Sequence, residues 1–188
     1  MRIISGIFKG KKILSPKDKL TRPLKDLTKE SIFNIIKHSK LLNVNLENAN
    51  ILDLFSGVGS FGLESLSRGA SSVTFLESYK DVLDVLKKNI YNLEQQNRSK
   101  IIEKDIFAEN TLKLINNKFD IIFMDPPYKE KKLTILLNTV IKLKLLKNNG
   151  VIIIHRHKKE EDSFPKEFNL IIKKNYGISK IIFGNTSN

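Results

Sequence analysis

The 188 residues contain no cysteine, which excludes disulfides and thiolate metal sites and fits a cytoplasmic protein. No apolar run approaches the ~20 residues needed to cross a bilayer, so no membrane association is expected. Met1 to Leu14 is basic, but Gly6, Gly10 and its lysines interrupt it, and the apolar block of a signal peptide is missing. Repeats and low-complexity tracts are absent. Acidic residues are few beside basic ones, 20 against 33, for a formal charge of +13. The surplus is uneven: residues 1–40 hold 11 Lys/Arg against 3 Asp/Glu, a net +8 in about a fifth of the chain. Genome composition can account for an abundance of lysine, but not for its clustering. A basic face steers a protein to polyanions and binds them in a salt-dependent way, so nucleic acid is the leading partner class. The length suits one main domain with a sizeable core.

The chain is organised around Ile51-Leu52-Asp53-Leu54-Phe55-Ser56-Gly57-Val58-Gly59-Ser60-Phe61-Gly62, an apolar run that breaks into three glycines spaced G-x-G-x-x-G. This reads as a strand buried on both faces feeding a nucleotide-cradling turn. Asp53 interrupts the apolar run. Glu77 follows a second one, Val73 to Leu76, at the spacing where a carboxylate meets ribose hydroxyls. Together they suggest an adenosine-type cofactor. Asp53 as a turn or cap carboxylate and Glu77 as a solvated strand end are the plainer alternatives.

Before this stretch, Arg2 to Leu14 reads as two short strands around a glycine-containing turn tipped with lysines, a basic hairpin. Thr21-Arg22-Pro23 forms an extended joint, and Asp26 to about Lys37 a helix with Asp26 or Thr28 as cap. After it, Phe61, Leu63 and Leu66 give a helix ending at Arg68-Gly69, and Asp81 to Gln96 gives another with Val82, Leu86 and Ile90 on one face. Ile101-Ile102 opens a third strand whose end carries Asp105, either a ligand-facing carboxylate or a helix cap. Phe119 to Met124 is a fourth strand, Leu133 to Leu146 a helix, Asn148-Asn149-Gly150 a turn and Val151 to Ile154 a fifth strand. His155-Arg156-His157 reads as its solvated end, without the further ligands a metal site needs. Phe168 to Asn175 and Ile178 to Phe183 close the chain as an antiparallel hairpin. Alternating strands and helices predict an α/β architecture, with residues 1–40 a basic appendage to the sheet domain of 41–188.

The fourth strand ends in Asp125-Pro126-Pro127-Tyr128, the most specific motif present. Two prolines fix φ and remove two backbone donors, giving a rigid turn that presents a carboxylate, bare carbonyls and an aromatic ring. Those groups suit a planar base bearing an exocyclic amine. Asp125 and the Pro126 carbonyl can accept the amine's hydrogens and stabilise the charge that develops, while Tyr128 stacks on the ring.

These residues resemble the bacterial 16S ribosomal RNA guanine-N2 methyltransferases, S-adenosylmethionine-dependent enzymes with a Rossmann-like, mostly parallel seven-stranded sheet that ends in an antiparallel hairpin. The resemblance runs nearly end to end, through Arg2 to Gly6, Lys9-Gly10, Thr21-Arg22-Pro23, Glu30, Phe33-Asn34, Leu52 to Gly59, Leu66 to Ala70, Asp125 to Tyr128 and Tyr176-Gly177. The glycine and Asp-Pro-Pro-Tyr motifs belong to many amino-methyltransferases; the basic hairpin and Thr-Arg-Pro joint are more particular. Leu24 and Asp26-Leu27 depart from the usual continuation, as does the lack of an acidic neighbour at His155. The resemblance implies Asp53, Phe55, Ser56, Gly57 and Gly59 around the methionine end of S-adenosylmethionine, Glu77 on the ribose, Asp105 and Ile106 at the adenine, and Asp125 between cofactor and base. It implies catalysis by Asp125, Pro126 and Tyr128 without a metal, and RNA contacts from Arg2, Lys9, Lys11, Lys12 and Arg22. The substrate would be 16S ribosomal RNA or a small-subunit assembly particle, and the enzyme a monomer.

The rivals each leave something out. A DNA amino-methyltransferase would typically carry a target-recognition insert for which there is no room. A protein-glutamine methyltransferase would resemble Asn-Pro-Pro-Tyr. A nicotinamide oxidoreductase leaves Asp125 to Tyr128 unexplained, and a non-catalytic RNA-binding module needs only the basic hairpin.

Overall fold

In a computed structural model of the chain, residues 1–16, 24–127 and 130–186 are described. Arg22 and Tyr128, and the Thr21-Arg22-Pro23 joint, lie outside them.

Seven strands, β1 (Asn50–Leu54), β2 (Ser72–Glu77), β3 (Ser99–Glu103), β4 (Phe119–Met124), β5 (Leu146–His157), β6 (Phe168–Tyr176) and β7 (Ser179–Thr186), form one sheet ordered β3-β2-β1-β4-β5-β7-β6. The first five strands of that order run parallel, and β7 enters antiparallel between β5 and β6. This is the Rossmann-like methyltransferase sheet that the sequence implies. Its strand order reverses between β1 and β4, the switch point where doubly wound sheets place ligands.

The apolar runs are continuous because both faces are covered. Ile51, Phe75, Phe123, Ile153 and Ile181 point to one face, where α1 (Asp26–His38), α2 (Ser60–Ser67) and α3 (Lys80–Asn92) pack. Leu52, Leu76, Ile122, Ile154 and Ile182 point to the other, against α4 (Leu133–Lys142). Phe61 stacks between Phe33 and Phe123, with ring centroids 5.1 and 4.0 Å away, and so joins α1 and α2 to the sheet.

Several expectations need correction. Arg2 to Leu14 folds back on itself as a hairpin, the amides of Ile3, Gly10 and Ile13 donating to the carbonyls of Lys11, Ile3 and Met1 (3.0, 2.9 and 3.0 Å). It forms a single bridge, Arg2 with Lys12, rather than two regular strands, and it also bonds outward to α2. The amides of Ile4 and Ser5 donate to Glu64 (2.8 and 3.0 Å), that of Ile7 to the Ser67 carbonyl and that of Phe8 to Ser67 Oγ. Ile3 and Ile13 are buried in the same core as α1 and α2. Neither Asp26 nor Thr28 caps α1, whose N-cap is Lys25 without a side-chain bond. α3 stops at Asn92 because Glu94 turns left-handed (φ 57°) and the Gln95 amide returns to the Ile90 carbonyl; Lys144 (φ 51°) ends α4 likewise. Asn148 to Gly150 is not a separate turn but an irregular stretch of β5, which advances from Leu146 to Val151 while β4 advances from Phe119 to Ile121.

Candidate active site

Strand alternation sends Asp53, Glu77, Asp125 and His155 to one face, following Ile51, Phe75, Phe123 and Ile153. The structure therefore gathers Asp53, Glu77 and Asp125 at the carboxyl ends of β1, β2 and β4, on the side that carries the basic leading segment.

The turn after β1 is built for backbone approach. Phe55, Gly57 and Gly59 have φ of 59°, 53° and 85°. A Cβ on Gly59 would sit 2.6 Å from Leu86 Cδ1 of α3, so a side chain there would have to displace Leu86 as well as strain the backbone. A Cβ on Gly62 would meet the Phe75 ring at 2.3 Å, which is how α2 lies close on β2. Glu77 fixes the turn from the neighbouring strand, accepting from the Gly57 amide at 2.8 Å and from the Ser78 and Tyr79 amides. Ser56, buried, is tied to the Leu76 carbonyl through both its amide and its hydroxyl. Asn89 of α3 holds the far side, donating to the Val58 carbonyl (3.0 Å) and pairing with the backbone of Leu14 through both its amide atoms. The basic segment and the glycine turn thus share one anchor.

Asp53 is 1% exposed. Its Oδ2 accepts from the Gly62 amide at 3.0 Å, while Oδ1 has no hydrogen-bond partner among the described residues. Burial holds its carboxyl well above the usual carboxylate value; the Gly62 bond opposes this, and the charges of Asp125 and Glu77 add to it. The folded state therefore keeps a proton that the unfolded chain releases, so the group's contribution to stability is complete below the unfolded pKa and falls as pH rises through the folded one. Asp53→Asn, which keeps an acceptor for Gly62, should gain on the wild type as pH rises. Urea denaturation at pH 5 and pH 8 checks this; a variant no better off relative to wild type at pH 8 would place an ionised Asp53 in the fold.

Asp105 follows β3 and is exposed, its carboxylate accepting from the Phe107 amide at 2.9 Å in a local turn rather than capping a helix. Ile106 beside it is buried. Phe107 and Phe55 face each other at 6.0 Å, with Lys132 over the Phe107 ring; no motif or spacing in the sequence singles out Phe107. Of the predicted RNA contacts, Arg2, Lys9, Lys11 and Lys12 are exposed on the leading segment, Arg2 lying 3.6 Å from Asp26.

Asp125 Oδ1 lies 2.7 Å from His155 Nδ1, and His155 Nε2 lies 2.9 Å from Ser179 Oγ. His155 and Arg156 are 6% and 2% exposed, so the end of β5 is not solvated as expected. β7 covers it, pairing from Ser179 onward. Arg156 supports the motif from beneath. Its guanidinium donates to the carbonyls of Pro127 (3.2 Å) and Glu130 (3.0 Å) and is held by Asp162, which Lys180 also meets. The position of both residues at a strand's carboxyl end, beside Asp125, was the signal available.

Comparison with known proteins agrees with this fold. Residues 1–185 match a family described as conserved hypothetical protein 95. The chain is 35% identical over 176 residues to ribosomal RNA small subunit methyltransferase D of Buchnera aphidicola, covering 92% of this chain and 86% of that one. The protein of that name from Haemophilus influenzae is 32% identical, with 95% and 90% covered. A solved structure from H. influenzae, provisionally described as a methylase, superposes with a TM-score of 0.77 at 30% identity over 99% of this chain and 98% of its own. By its sequence over nearly its whole length and by its sheet, the chain belongs to this family, that of the ribosomal RNA small subunit methyltransferases D.

Proposed function

We propose that the protein transfers a methyl group from S-adenosylmethionine to the 2-amino group of a guanine in 16S ribosomal RNA, free or in a small-subunit particle, as a cytoplasmic monomer. The observation that carries this reading is Asp125, set on a donor-free double-proline turn and grouped with Asp53 and Glu77 at the switch point. The names of the relatives support the RNA substrate.

The residues present fit the cofactor. Asp53 Oδ1 is buried and unpartnered beside the Glu77 and Asp125 carboxylates, a setting in which a ligand carrying sulfonium and ammonium charges would be favoured and would draw the Asp53 carboxyl toward its ionised form. Gly57 and Gly59 give the turn the left-handed backbone that lets it approach the ligand, with Phe55 and Ser56 beside them, while Glu77 takes the ribose hydroxyls and Asp105 with Ile106 borders the adenine. Bound there, S-adenosylmethionine supplies a methyl group on an electron-poor sulfur. Asp125 and the Pro126 carbonyl accept the amine's hydrogens and aim its lone pair, and Tyr128 stacks on the flipped base. Residues 1–40 serve as the RNA-contacting part, through Arg2, Lys9, Lys11, Lys12 and Arg22, and 41–188 as the catalytic part.

The test is transfer of labelled methyl to unmethylated small-subunit RNA and particles, followed by digestion to nucleosides. N2-methylguanosine is expected; label on another nucleoside, or none, overturns the reading. Changing Lys9, Lys11 and Lys12 together to alanine should weaken RNA binding and flatten its salt dependence by up to ~0.9 in log–log slope for each phosphate no longer neutralised. Cofactor affinity should stay constant, and an unaltered slope would move the RNA to another face.

A further inference from the structure

We propose that His155 is a positioning residue for the transfer, holding the Asp125 carboxylate turned toward the target amine, with Ser179 fixing the imidazole tautomer. The inference rests on the Asp125 role proposed above.

An aspartate at a turn is ordinarily oriented by backbone amides just after it. Asp105 shows this within the same protein, bonding the amide two residues on. Asp125 cannot do so, because Pro126 and Pro127 have no N–H. The donor must come from elsewhere, and β5 supplies it. Met124 and Ile154 are in register, so the next positions, Asp125 and His155, stand side by side at the strand ends. His155 pairs with Ile181 on β7, and Ser179, two residues away, returns to the same face. Asp125 Oδ1, His155 and Ser179 Oγ are thereby joined in one line at 2.7 and 2.9 Å.

The chemistry assigns the protons. An ionised carboxylate only accepts, so Nδ1 carries the hydrogen and donates to Asp125, and Nε2 accepts from the Ser179 hydroxyl. With Oδ1 occupied and the Asp125 side chain 21% exposed, Oδ2 is left to receive the amine. As the N–C bond forms, the C–S bond breaks with its electron pair going to sulfur. The amine nitrogen becomes positively charged beside Oδ2 and sheds a proton to it, and the proton then passes to water. A carboxylate free to rotate would meet that charge in only a fraction of encounters.

His155→Gln and His155→Asn separate this role from a packing one. The Asn amide can stand where Nδ1 does and still donate to Asp125, whereas the Gln amide reaches the Nε2 position and leaves Asp125 without its donor. In single-turnover transfer at saturating cofactor, His155→Gln should be slower by about 10- to 100-fold. KM for cofactor and RNA should stay within about twofold, and His155→Asn should recover most of the rate. A wild-type rate in His155→Gln, equal losses in both variants, or a loss confined to KM overturns the inference. If His155→Gln does not fold, Ser179→Ala carries the test: kcat should fall severalfold at constant KM, and an unchanged kcat overturns it. Asp125→Ala run in parallel distinguishes the two readings. If it is inactive while His155→Gln is normal, only the positioning role fails; if it is fully active, the proposed function fails with it.

Discussion

Asp125→Ala should lower single-turnover methyl transfer by about 10²- to 10³-fold, the usual loss when one preorganised charge-stabilising group is removed. The guanine 2-amino group is a poor nucleophile because its lone pair is delocalised into the ring. Alignment and charge stabilisation therefore have to come from fixed acceptors. Asp125 has few structural duties: its backbone amide makes a long bond to Leu54 (3.4 Å), and its side chain meets His155. Truncation leaves the His155 donor without its partner, at a cost of about 1–3 kcal/mol, which calorimetric unfolding will register without loss of the fold. Asp125→Asn separates that cost from the chemistry. Its carbonyl can still accept from His155, but the amide then turns hydrogens toward a substrate group that also carries hydrogens, so a stable yet inactive protein is expected. Cofactor affinity, measured by titration calorimetry, should be nearly unchanged. A folded Asp125→Ala protein transferring at the wild-type rate removes Asp125 from the mechanism.

The largest stability effect should come from Glu64→Ala, at about 3–5 kcal/mol, the cost of leaving a buried charge uncompensated. Glu64 is fully buried on α2 and serves four donors: the amides of Ile4 and Ser5, Arg68 Nε at 2.7 Å, and the equally buried Lys29 ammonium at 3.6 Å. Burial pulls Lys29 below the usual lysine value, opposed by the charges of Glu64 and Asp26. Without Glu64 it keeps the Arg2 carbonyl (2.9 Å), Ser60 Oγ and a distant Asp26. The double variant Lys29→Met with Glu64→Leu removes both charges together and should regain much of the loss. Urea denaturation of the three proteins decides: a loss below about 1 kcal/mol for Glu64→Ala would mean that water reaches Lys29, and no recovery in the double variant would make the two Glu64-bound amides the dominant loss.

These two residues mark the limits of what the sequence disclosed. Asp125 was conspicuous because a double proline after an apolar strand has few structural uses, and the β1 turn because its glycines interrupt a run of large residues. The sheet was legible for the same reason, since strands buried on both faces read as unbroken apolar blocks. Glu64 and Lys29 look like ordinary helical surface charges, and only the folding of the leading segment across α2 buries them. His155 and Arg156 resemble a polar strand end, and it takes β7, arriving antiparallel from more than 20 residues later, to cover them. The ends of α3 and α4 were misplaced because Glu94 and Lys144 adopt left-handed conformations that side-chain type does not announce. What stayed hidden depends on contacts distant in sequence.

The carboxylates at the strand ends acquire a second meaning against a chain of charge +13. In the proposed function, a polynucleotide drawn to the lysines of the leading segment would meet, on the same face, a group of carboxylates of opposite sign. Its phosphodiester backbone would be attracted at the rim and repelled inside, whereas an uncharged heterocycle would meet no such repulsion. The fold would in this way sort one molecule into two parts, holding the strand outside and admitting only the base.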